Sequence, residues 1–325
     1  MTKFVMIDSH TLPEADYHQE KEILKNAGIE CVITCCKNLD DIKKCAFDAD
    51  YIGVVYQRIT DEVLQLMPKL KLIVRYGIGY DVVDVDACTK RHVALCNIPT
   101  YCIEDVATHA ASLILDTTRK LTLYDSEIKK GNWDVGFGYD NHRLSVQTLG
   151  LIGFGNIARK LTTYMQAFDM NVIAYDPYLP DEFFTKANVK KVSLDEVLTN
   201  SDIISLHCAC TPETTHIINK DNISKMKDGV IIINTSRGAL IDNKALIEAL
   251  SSLKIKAAGL DVNEDEPIHD KEHPLLHCKN LVITPHSAYN SVEASDEQHK
   301  DAAKTVVCVD AGELPFNTIN KKDLI

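Results

Sequence analysis

The glycine motif at residues 149–158 constrains the fold of this chain more than any other feature of its sequence. It reads Leu-Gly-Leu-Ile-Gly-Phe-Gly-Asn-Ile-Ala, follows an apolar strand pattern and opens a helical pattern that continues to Met165. The next apolar run, Val172–Tyr175, ends in Asp176, at the roughly twenty-residue spacing of dinucleotide-binding βαβ units. This context predicts a strand, a tight turn and a helix whose N-terminus receives the phosphates of a dinucleotide.

Each residue type in the motif has a physical role in such a site. Gly153 permits the tight turn, and Gly155 lets the backbone approach the pyrophosphate. Asn156 and Ile157 open the helix, where free N–H groups and the positive end of the helix dipole attract phosphate. Ala158 is small enough for the helix to pack closely against the strand.

The acidic residue Asp176 indicates which dinucleotide is bound. Its carboxylate can accept hydrogen bonds from the ribose hydroxyls, and it repels a 2′-phosphate. Pro177 and Tyr178, which follow it, supply no arginine to receive such a phosphate. The sequence therefore predicts NAD rather than NADP as the cofactor.

Short apolar runs alternate with amphipathic stretches along the whole chain, which is typical of parallel sheets with helical crossovers. A first series is followed by a helical segment from about Ile103 to Lys130, and a second series begins at Leu149. A last helical stretch begins near Val292. The pattern predicts an α/β protein with two domains, the second of which is a Rossmann-type NAD-binding domain.

Composition and charge exclude several classes of protein. The net charge is −12, so neither nucleic acid nor an anionic membrane surface is expected as a partner. No apolar run reaches the length of a membrane span. The eleven cysteines are irregularly spaced, which favours reduced thiols over a disulfide framework. Since the start of the chain also lacks a signal-peptide pattern, we expect a cytoplasmic protein.

Polar clusters follow three of the later apolar runs. The carboxyl ends of parallel strands meet at one edge of a sheet. We therefore expect an arginine, an acid and a histidine to lie beside the cofactor. The three clusters are Asn234–Gly238, Asp261–Pro267 and Pro285–Ser287.

With these motifs the chain resembles the D-2-hydroxyacid dehydrogenase family over nearly its whole length. The matching residues are Gly153-Phe154-Gly155, Asn234-Thr235-Ser236-Arg237-Gly238, Asp261 with Glu266-Pro267, and Pro285-His286. The resemblance implies that Arg237, Glu266 and His286 form the catalytic set. It also implies that the cofactor is contacted by three further residues, His207, Thr235 and Asp261. Asp261 would touch the nicotinamide carboxamide, unless it is a structural acid at the strand end, an alternative that the residues leave open.

The resemblance also implies how the chain is organised. Residues 1–102 and 291–325 would form a discontinuous, flavodoxin-like substrate domain, and residues 103–290 the Rossmann-type NAD-binding domain. A homodimer through the NAD-binding domain is implied as well. The segment 131–141, with Trp133 and Phe137, is a candidate for its interface.

The implied catalytic set suits the reduction of a small 2-oxo acid to its D-2-hydroxy acid, with NADH as the hydride donor. His286 can supply the proton to the developing alkoxide, since histidine exchanges protons near neutral pH. A neighbouring Glu266 would favour and orient the imidazolium. Arg237 can hold the substrate carboxylate and polarise the carbonyl. In the oxidative direction His286 would be the base.

The loop after the apolar run Leu70–Val74 is the candidate substrate-binding element of the first domain. Two glycines after a strand can present backbone N–H groups to a carboxylate, and in the family this loop binds the acid group of the substrate. Arg75, the first residue of the loop, would add a charged contact to that acid group. The alternative is that the loop is a plain strand-to-helix turn that binds no ligand. The loop consists of Arg75, Tyr76, Gly77, Ile78 and Gly79.

Three residues resemble the C-terminal-binding-protein-like branch of the family. They are Arg75 before the glycine loop, His207 after the run Ile203–Leu206, and Tyr289. In that branch an aromatic residue at the position of Tyr289 faces the substrate. Packing between domains is an equally open role for this side chain.

Other functions stay open on the same fold. A phosphoglycerate dehydrogenase without a regulatory domain would share the site, whereas a formate dehydrogenase is disfavoured because the acid partner of His286 is a glutamate. An NAD(H)-sensing, corepressor-like binding protein would bind the cofactor without turnover. The complete set of arginine, glutamate and histidine favours an enzyme over this sensor.

Three histidines that recur every four residues could suggest a metal site on a helix. They are His269, His273 and His277. Pro274 interrupts a helix at this point, and the surrounding segment has the composition of a loop. We therefore predict no metal site.

Overall fold

The computed structural model describes residues 1–9 and 17–324, and the chain divides into two compact units. Unit 1 comprises Met1–Tyr101 and Ser291–Ile325, and unit 2 comprises Cys102–Asn290. No helix in the described ranges is both long and apolar enough to cross a lipid bilayer.

A five-stranded parallel sheet forms the centre of unit 1. Its strands are β1 (Lys3–Met6), β2 (Glu30–Ile33), β3 (Tyr51–Val54), β4 (Leu72–Arg75) and β5 (Ala94–Asn97). Their spatial order is β2-β1-β3-β4-β5, which is the order of flavodoxin-like folds. The predicted flavodoxin-like fold is therefore confirmed for this unit.

Helices from both ends of the chain belong to unit 1. Four lie between its strands, and two follow where the chain returns to the unit. They are α1 (His18–Asn26), α2 (Leu39–Ala46), α3 (Asp61–Gln65), α4 (Val85–Lys90), α12 (Val292–Asp310) and α13 (Lys321–Leu324). The long helix α12 packs against α1 and β4. Side chains cap several of these helices, as Asn38 does when it accepts from the N–H of Asp41 at the start of α2.

Unit 2 contains a seven-stranded parallel sheet. Its strands are β6 (Thr148–Ile152), β7 (Asn171–Tyr175), β8 (Lys190–Lys191), β9 (Ile203–Leu206), β10 (Val230–Asn234), β11 (Ile255–Leu260) and β12 (Leu281–Ile283). Their spatial order, β12-β11-β10-β9-β6-β7-β8, reverses direction at β6, as in Rossmann folds. Both faces are buried, because Ile232 and Ile233 of β10 enter separate apolar clusters on opposite sides.

The helices of unit 2 correct one prediction from the sequence. They are α5 (Ile103–Arg119), α6 (Leu121–Lys129), α7 (Asn156–Gln166), α8 (Asp181–Lys186), α9 (Leu194–Asn200), α10 (Lys220–Lys225) and α11 (Asn243–Ser251). The single helix predicted from about Ile103 to Lys130 is wrong, because left-handed Lys120 (φ +59°) separates α5 from α6. Buried Lys120 donates from Nζ to the Phe137 carbonyl at 2.8 Å. The residue that separates α5 from α6 is thus hydrogen-bonded to the later segment 131–141.

Candidate active site

The glycine turn between β6 and α7 has the geometry that the sequence predicts. The N–H of Gly153 donates to the Tyr175 carbonyl at 2.8 Å, which fixes the turn to β7. Gly153 has φ +90°, and a Cβ there would lie 2.6 Å from the backbone of His207 and Cys208. Only glycine satisfies both requirements. At Gly155, by contrast, a Cβ would meet nothing within 4 Å, so the turn opens into free space at this position.

The N-terminus of α7 faces this open space without a side-chain cap. Gly155 is the N-cap residue and has no side chain to accept from the first turn. Asn156 Oδ1 accepts from Arg159 Nη2 at 2.5 Å rather than from the helix backbone. Asn156 and Ile157 therefore open a helix whose first N–H groups suit a phosphate.

Asp176 lies directly beside the glycine turn. One carboxylate oxygen accepts from the N–H of Phe154 at 2.9 Å. The other accepts from the N–H groups of Tyr178 and Leu179 at 3.0 and 3.2 Å. The carboxylate is thereby held beside the glycine turn, where the sequence predicts the adenosine ribose.

His207 and Thr235 follow the neighbouring strands β9 and β10. Desolvation by the surrounding protein lowers the pKa of His207 to about 4, so its imidazole is neutral at physiological pH. Its Nε2 is hydrogen-bonded to Ser205 Oγ at 2.8 Å. The Oγ1 of Thr235 is buried and has no hydrogen-bond partner among the described residues. Such an orphaned hydroxyl suits a site that a ligand completes.

His286 and Glu266 form a pair at the carboxyl edge of the same sheet. His286 Nδ1 lies 2.9 Å from Glu266 Oε1. Each side chain is 33% exposed, so a ligand can reach the pair. The other carboxylate oxygen of Glu266 accepts from the N–H of Asn263 at 3.3 Å, which ties the acid to its own loop.

The acidic neighbours of Glu266 have other partners. Glu264 lies 2.7 Å from His216 Nε2. Asp265 accepts from Asn243 Nδ2 at 2.7 Å and also lies 3.1 Å from a second histidine, His273. The geometry thus distinguishes Glu266 from the two adjacent acids.

Arg237 lies on the loop after β10, next to the loop that carries Glu266. The strands end level with one another, since Asn234 is paired with Leu260 in the sheet. A Cβ on Gly238 would lie 2.0 Å from the backbone of Asn263, so the two loops touch. Arg237 therefore lies at the same edge of the sheet as the histidine–glutamate pair.

Asp261 has a structural role, which the sequence had left open as an alternative. It is 1% exposed, and its carboxylate accepts from Thr284 Oγ1 and from the N–H groups of Ser287 and Ala288. His109 on α5 contacts the same group through Thr284. Contact between Asp261 and the nicotinamide carboxamide stays a prediction. No sequence motif marks His109, which lies within an ordinary amphipathic helix.

The candidate substrate loop of unit 1 carries backbone N–H donors that the described residues leave without an acceptor. The carbonyls of Gly77 and Ile78 accept from the Ile98 N–H at 3.0 Å and from Asn97 Nδ2 at 2.7 Å. None of the described residues accepts from the N–H groups of residues 77–79. A Cβ on Gly77 would lie 1.7 Å from Nη1 of Arg75, so the guanidinium lies over this glycine. The loop thus combines free N–H groups with a positive charge.

Tyr76 does not belong with the other predicted substrate-binding residues. Its side chain is buried, and its Oη donates to Glu20 Oε1 at 3.1 Å. Its N–H donates to the Val54 carbonyl at 2.8 Å. The alternation of side chains along an extended strand explains the error, because Tyr76 directly continues β4 and its ring enters the interior. The prediction that Tyr76 touches the substrate is therefore wrong for its side chain.

Two further sequence predictions concern the position of Tyr289 and the segment that contains His269, His273 and His277. The Tyr289 ring lies edge-on to the His286 ring, with 6.4 Å between centroids. His277 lies in a short 3₁₀ helix that begins at Pro274. In the part of the chain that the structure describes, no group of three histidine, cysteine or acidic residues could hold a metal ion.

Residues 111–288 match the family described as D-isomer specific 2-hydroxyacid dehydrogenase, NAD binding domain. The chain is 38% identical to D-3-phosphoglycerate dehydrogenase of Mycobacterium bovis over 80% of this chain and 48% of that protein. It is 34% identical to hydroxypyruvate reductase of Blautia hydrogenotrophica over 98% of this chain and 100% of that protein. A solved structure of D-lactate dehydrogenase from Aquifex aeolicus, complexed with NAD and lactic acid, has a TM-score of 0.84 at 33% identity and covers 96% of both chains.

The chain spans about half the length of the phosphoglycerate dehydrogenases that it matches. It spans the full length of the hydroxypyruvate reductase. The matched domain covers most of unit 2, and the relatives extend the similarity through unit 1. The chain belongs to the D-isomer specific 2-hydroxyacid dehydrogenase family, and unit 2 contains its NAD-binding domain.

Proposed function

We propose that this chain is an NAD-dependent oxidoreductase that interconverts a small 2-oxo acid and its D-2-hydroxy acid. The observation that carries the proposal is the His286–Glu266 pair, with Nδ1 and Oε1 2.9 Å apart. Because Nδ1 is bound to the carboxylate, the opposite ring nitrogen, Nε2, is left to exchange a proton with the substrate. Unit 2 is thereby equipped for acid–base chemistry as well as for cofactor binding.

His286 would protonate the carbonyl oxygen during reduction and remove the hydroxyl proton during oxidation. Glu266 would hold the ring in one orientation and stabilise the imidazolium electrostatically. Arg237, on the adjoining loop, would bind the substrate carboxylate and polarise the carbonyl. These roles need no covalent intermediate.

Bound NAD(H) would supply or accept the hydride. The start of α7, with Gly155 and Asn156, would hold the pyrophosphate. Asp176 would accept hydrogen bonds from the ribose, and the buried Thr235 hydroxyl would gain the partner that it lacks. The open space at Gly155 and the orphaned hydroxyl are the two observations on this chain that fit the group.

For the substrate, we assign the acid group to the N–H groups of residues 77–79, with Arg75 as an added positive charge. Tyr289, edge-on to His286, would narrow the space beside the reacting carbon. Membership of the C-terminal-binding-protein-like branch, which this tyrosine favours, stays a prediction.

The test is a panel of 2-oxo acids assayed by NADH consumption. It comprises glyoxylate, hydroxypyruvate, its 3-phosphate, pyruvate, phenylpyruvate and 4-methyl-2-oxopentanoate. With the best substrate, we expect His286→Ala to lower turnover about a hundredfold while NADH still binds. The matched control is His216→Ala, which breaks another histidine–glutamate pair of the same unit and should change turnover by less than about threefold.

The outcomes separate the candidate functions. Turnover confined to the phosphorylated acid would indicate a phosphoglycerate dehydrogenase. Tight NADH binding without turnover of any acid would favour an NAD(H)-sensing, corepressor-like protein. Equal turnover by wild type and His286→Ala would remove His286 from the mechanism.

The homodimer through unit 2 is also a proposal. Trp133 and Val135 are 90% and 89% exposed, and such apolar side chains suit a contact surface. Sedimentation should show a dimer for the wild type and a shift towards monomer for Trp133→Asp. A wild-type monomer at micromolar concentration would contradict the proposal. Cytoplasmic location stays a prediction from the sequence.

A further inference from the structure

The backbone of His286 has a conformation that its surroundings must hold. Its φ is +54°, in the left-handed region that is disfavoured for residues with a Cβ. The His286 N–H donates to the Asp261 carbonyl at 2.8 Å. The next two N–H groups, of Ser287 and Ala288, donate to the Asp261 carboxylate at 2.9 and 2.8 Å. Asp261 thus binds three successive N–H groups of the loop that carries the proposed proton donor.

Two residues outside the proposed catalytic set hold the Asp261 carboxylate in turn. Thr284 Oγ1 donates to Asp261 Oδ1 at 2.5 Å. Because the hydroxyl proton is used in this bond, His109 Nε2 must be the donor in its 3.0 Å contact with Thr284 Oγ1. The hydrogen bonds therefore form a directed chain from α5 to the loop, and such chains strengthen one another.

We propose that His109 and Thr284 are positioning residues for His286, acting through the Asp261 carboxylate. The inference rests on the proposed function for the role of His286, and it extends that function to a histidine on α5. By fixing one orientation of the carboxylate, the two residues would keep both of its oxygens aimed at Ser287 and Ala288. Without them the loop would leave its left-handed conformation, and the imidazole would move relative to the substrate.

The position of His109 favours this role over simple packing. Its side chain is 23% exposed, so the ring is not wholly enclosed by the interior. Its Nε2 lies 3.5 Å from Asp261 Oδ1 as well as 3.0 Å from the Thr284 hydroxyl. The donor is therefore aimed at the hydroxyl–carboxylate pair.

The test compares variants that remove or retain each donor. Thr284→Val removes the hydroxyl at nearly constant volume, and Thr284→Ser retains it. His109→Leu removes the ring donor, and His109→Gln retains an N–H donor. Ser112→Ala, at an exposed position of α5, controls for substitution in that helix. Each variant is measured for amide hydrogen exchange of the 281–291 segment without cofactor, and for kcat, KM and NADH affinity.

We expect Thr284→Val and His109→Leu to speed exchange at Ser287 and Ala288 at least fivefold and to lower kcat about tenfold. NADH affinity and KM should change less than twofold, and the serine and glutamine variants should recover most of the lost kcat. Equal behaviour of the valine and serine variants, or unchanged exchange in both donor-less variants, would overturn the proposal. If the wild type turned over no acid, the proposed function would fail, while the exchange measurement would still decide whether His109 and Thr284 hold the loop.

Discussion

Removal of either member of the buried Glu20–His299 pair should destabilise unit 1 by about 3–5 kcal/mol. Glu20 and His299 are 0% and 2% exposed, and His299 Nδ1 is hydrogen-bonded to Glu20 Oε1. Tyr76 Oη donates to the same oxygen at 3.1 Å. Burial and the nearby carboxylate raise the pKa of Tyr76 well above its usual value, so the phenol stays a donor. A partner left alone in this interior would keep its full desolvation cost.

The magnitude is large against the stability of a typical domain, roughly 5–15 kcal/mol. His299→Leu and Glu20→Leu should each cause the full loss, because each leaves a polar partner buried. The double variant removes both polar groups of the pair and deprives the Tyr76 hydroxyl of its acceptor, which costs about 1–3 kcal/mol of stability. It should therefore be no less stable than the worse single variant.

Hydrogen exchange of α1 and α12 amides under native conditions measures this loss within unit 1. Amides of α7, which lie in unit 2, are the internal control. Losses below about 1 kcal/mol in both single variants would refute the reasoning. So would a double variant whose loss equals the sum of the two single losses, since independent sites add.

Three further predictions concern unit 2. Asp176→Ala should weaken NADH binding and reduce discrimination against NADPH in fluorescence titrations; unchanged NADH affinity would argue against its ribose role. Gly153→Ala should lower the melting temperature by roughly 5 °C or more because its Cβ would collide with backbone. Gly155→Ala, whose Cβ meets nothing, should leave the melting temperature unchanged and weaken NADH binding; equal melting temperatures for the two variants would contradict this. His207 takes up a proton near pH 6.5 when unfolded but near pH 4 when folded, so stability should decrease as the pH is lowered from 6.5 to 4, by about 1.4 kcal/mol per pH unit at most. Unfolding titrations from pH 7 to 4 should show this component in the wild type and not in His207→Gln.

The sheets and the glycine turn could be predicted because their signals are local. Apolar runs of strand length, such as Ile203–Leu206, occur as strands, since both faces of these sheets are buried. The steric demand on Gly153 is visible in the sequence as the motif itself. The residues of the proposed catalytic set could be predicted because the carboxyl ends of the strands of a parallel sheet lie along the same edge.

Features set by distant contacts could not be predicted. Lys120 ends α5 in a left-handed conformation, and its Nζ contacts a carbonyl in the later segment 131–141. Glu20 and His299 lie 279 residues apart in the chain, and neither has a neighbour in sequence that indicates a pair. The loop position of Tyr76 indicates a ligand contact, whereas its strand register places the ring in the interior.

At the carboxyl edge of the unit 2 sheet, two acids differ in burial and in role. One holds a loop in place, and the other is proposed to take part in the reaction. Asn234, Leu260 and Ile283 end their strands in register, so the loops that follow leave the sheet side by side. The backbone N–H groups of a loop have no neighbouring strand to pair with. Where such N–H groups are buried, another acceptor must bind them. Asp261, 1% exposed, does so and is committed to its loop. Glu266, 33% exposed, is bound to an imidazole and remains open to a ligand. Two acids of one short segment thus differ in role because one points into the protein and the other towards solvent.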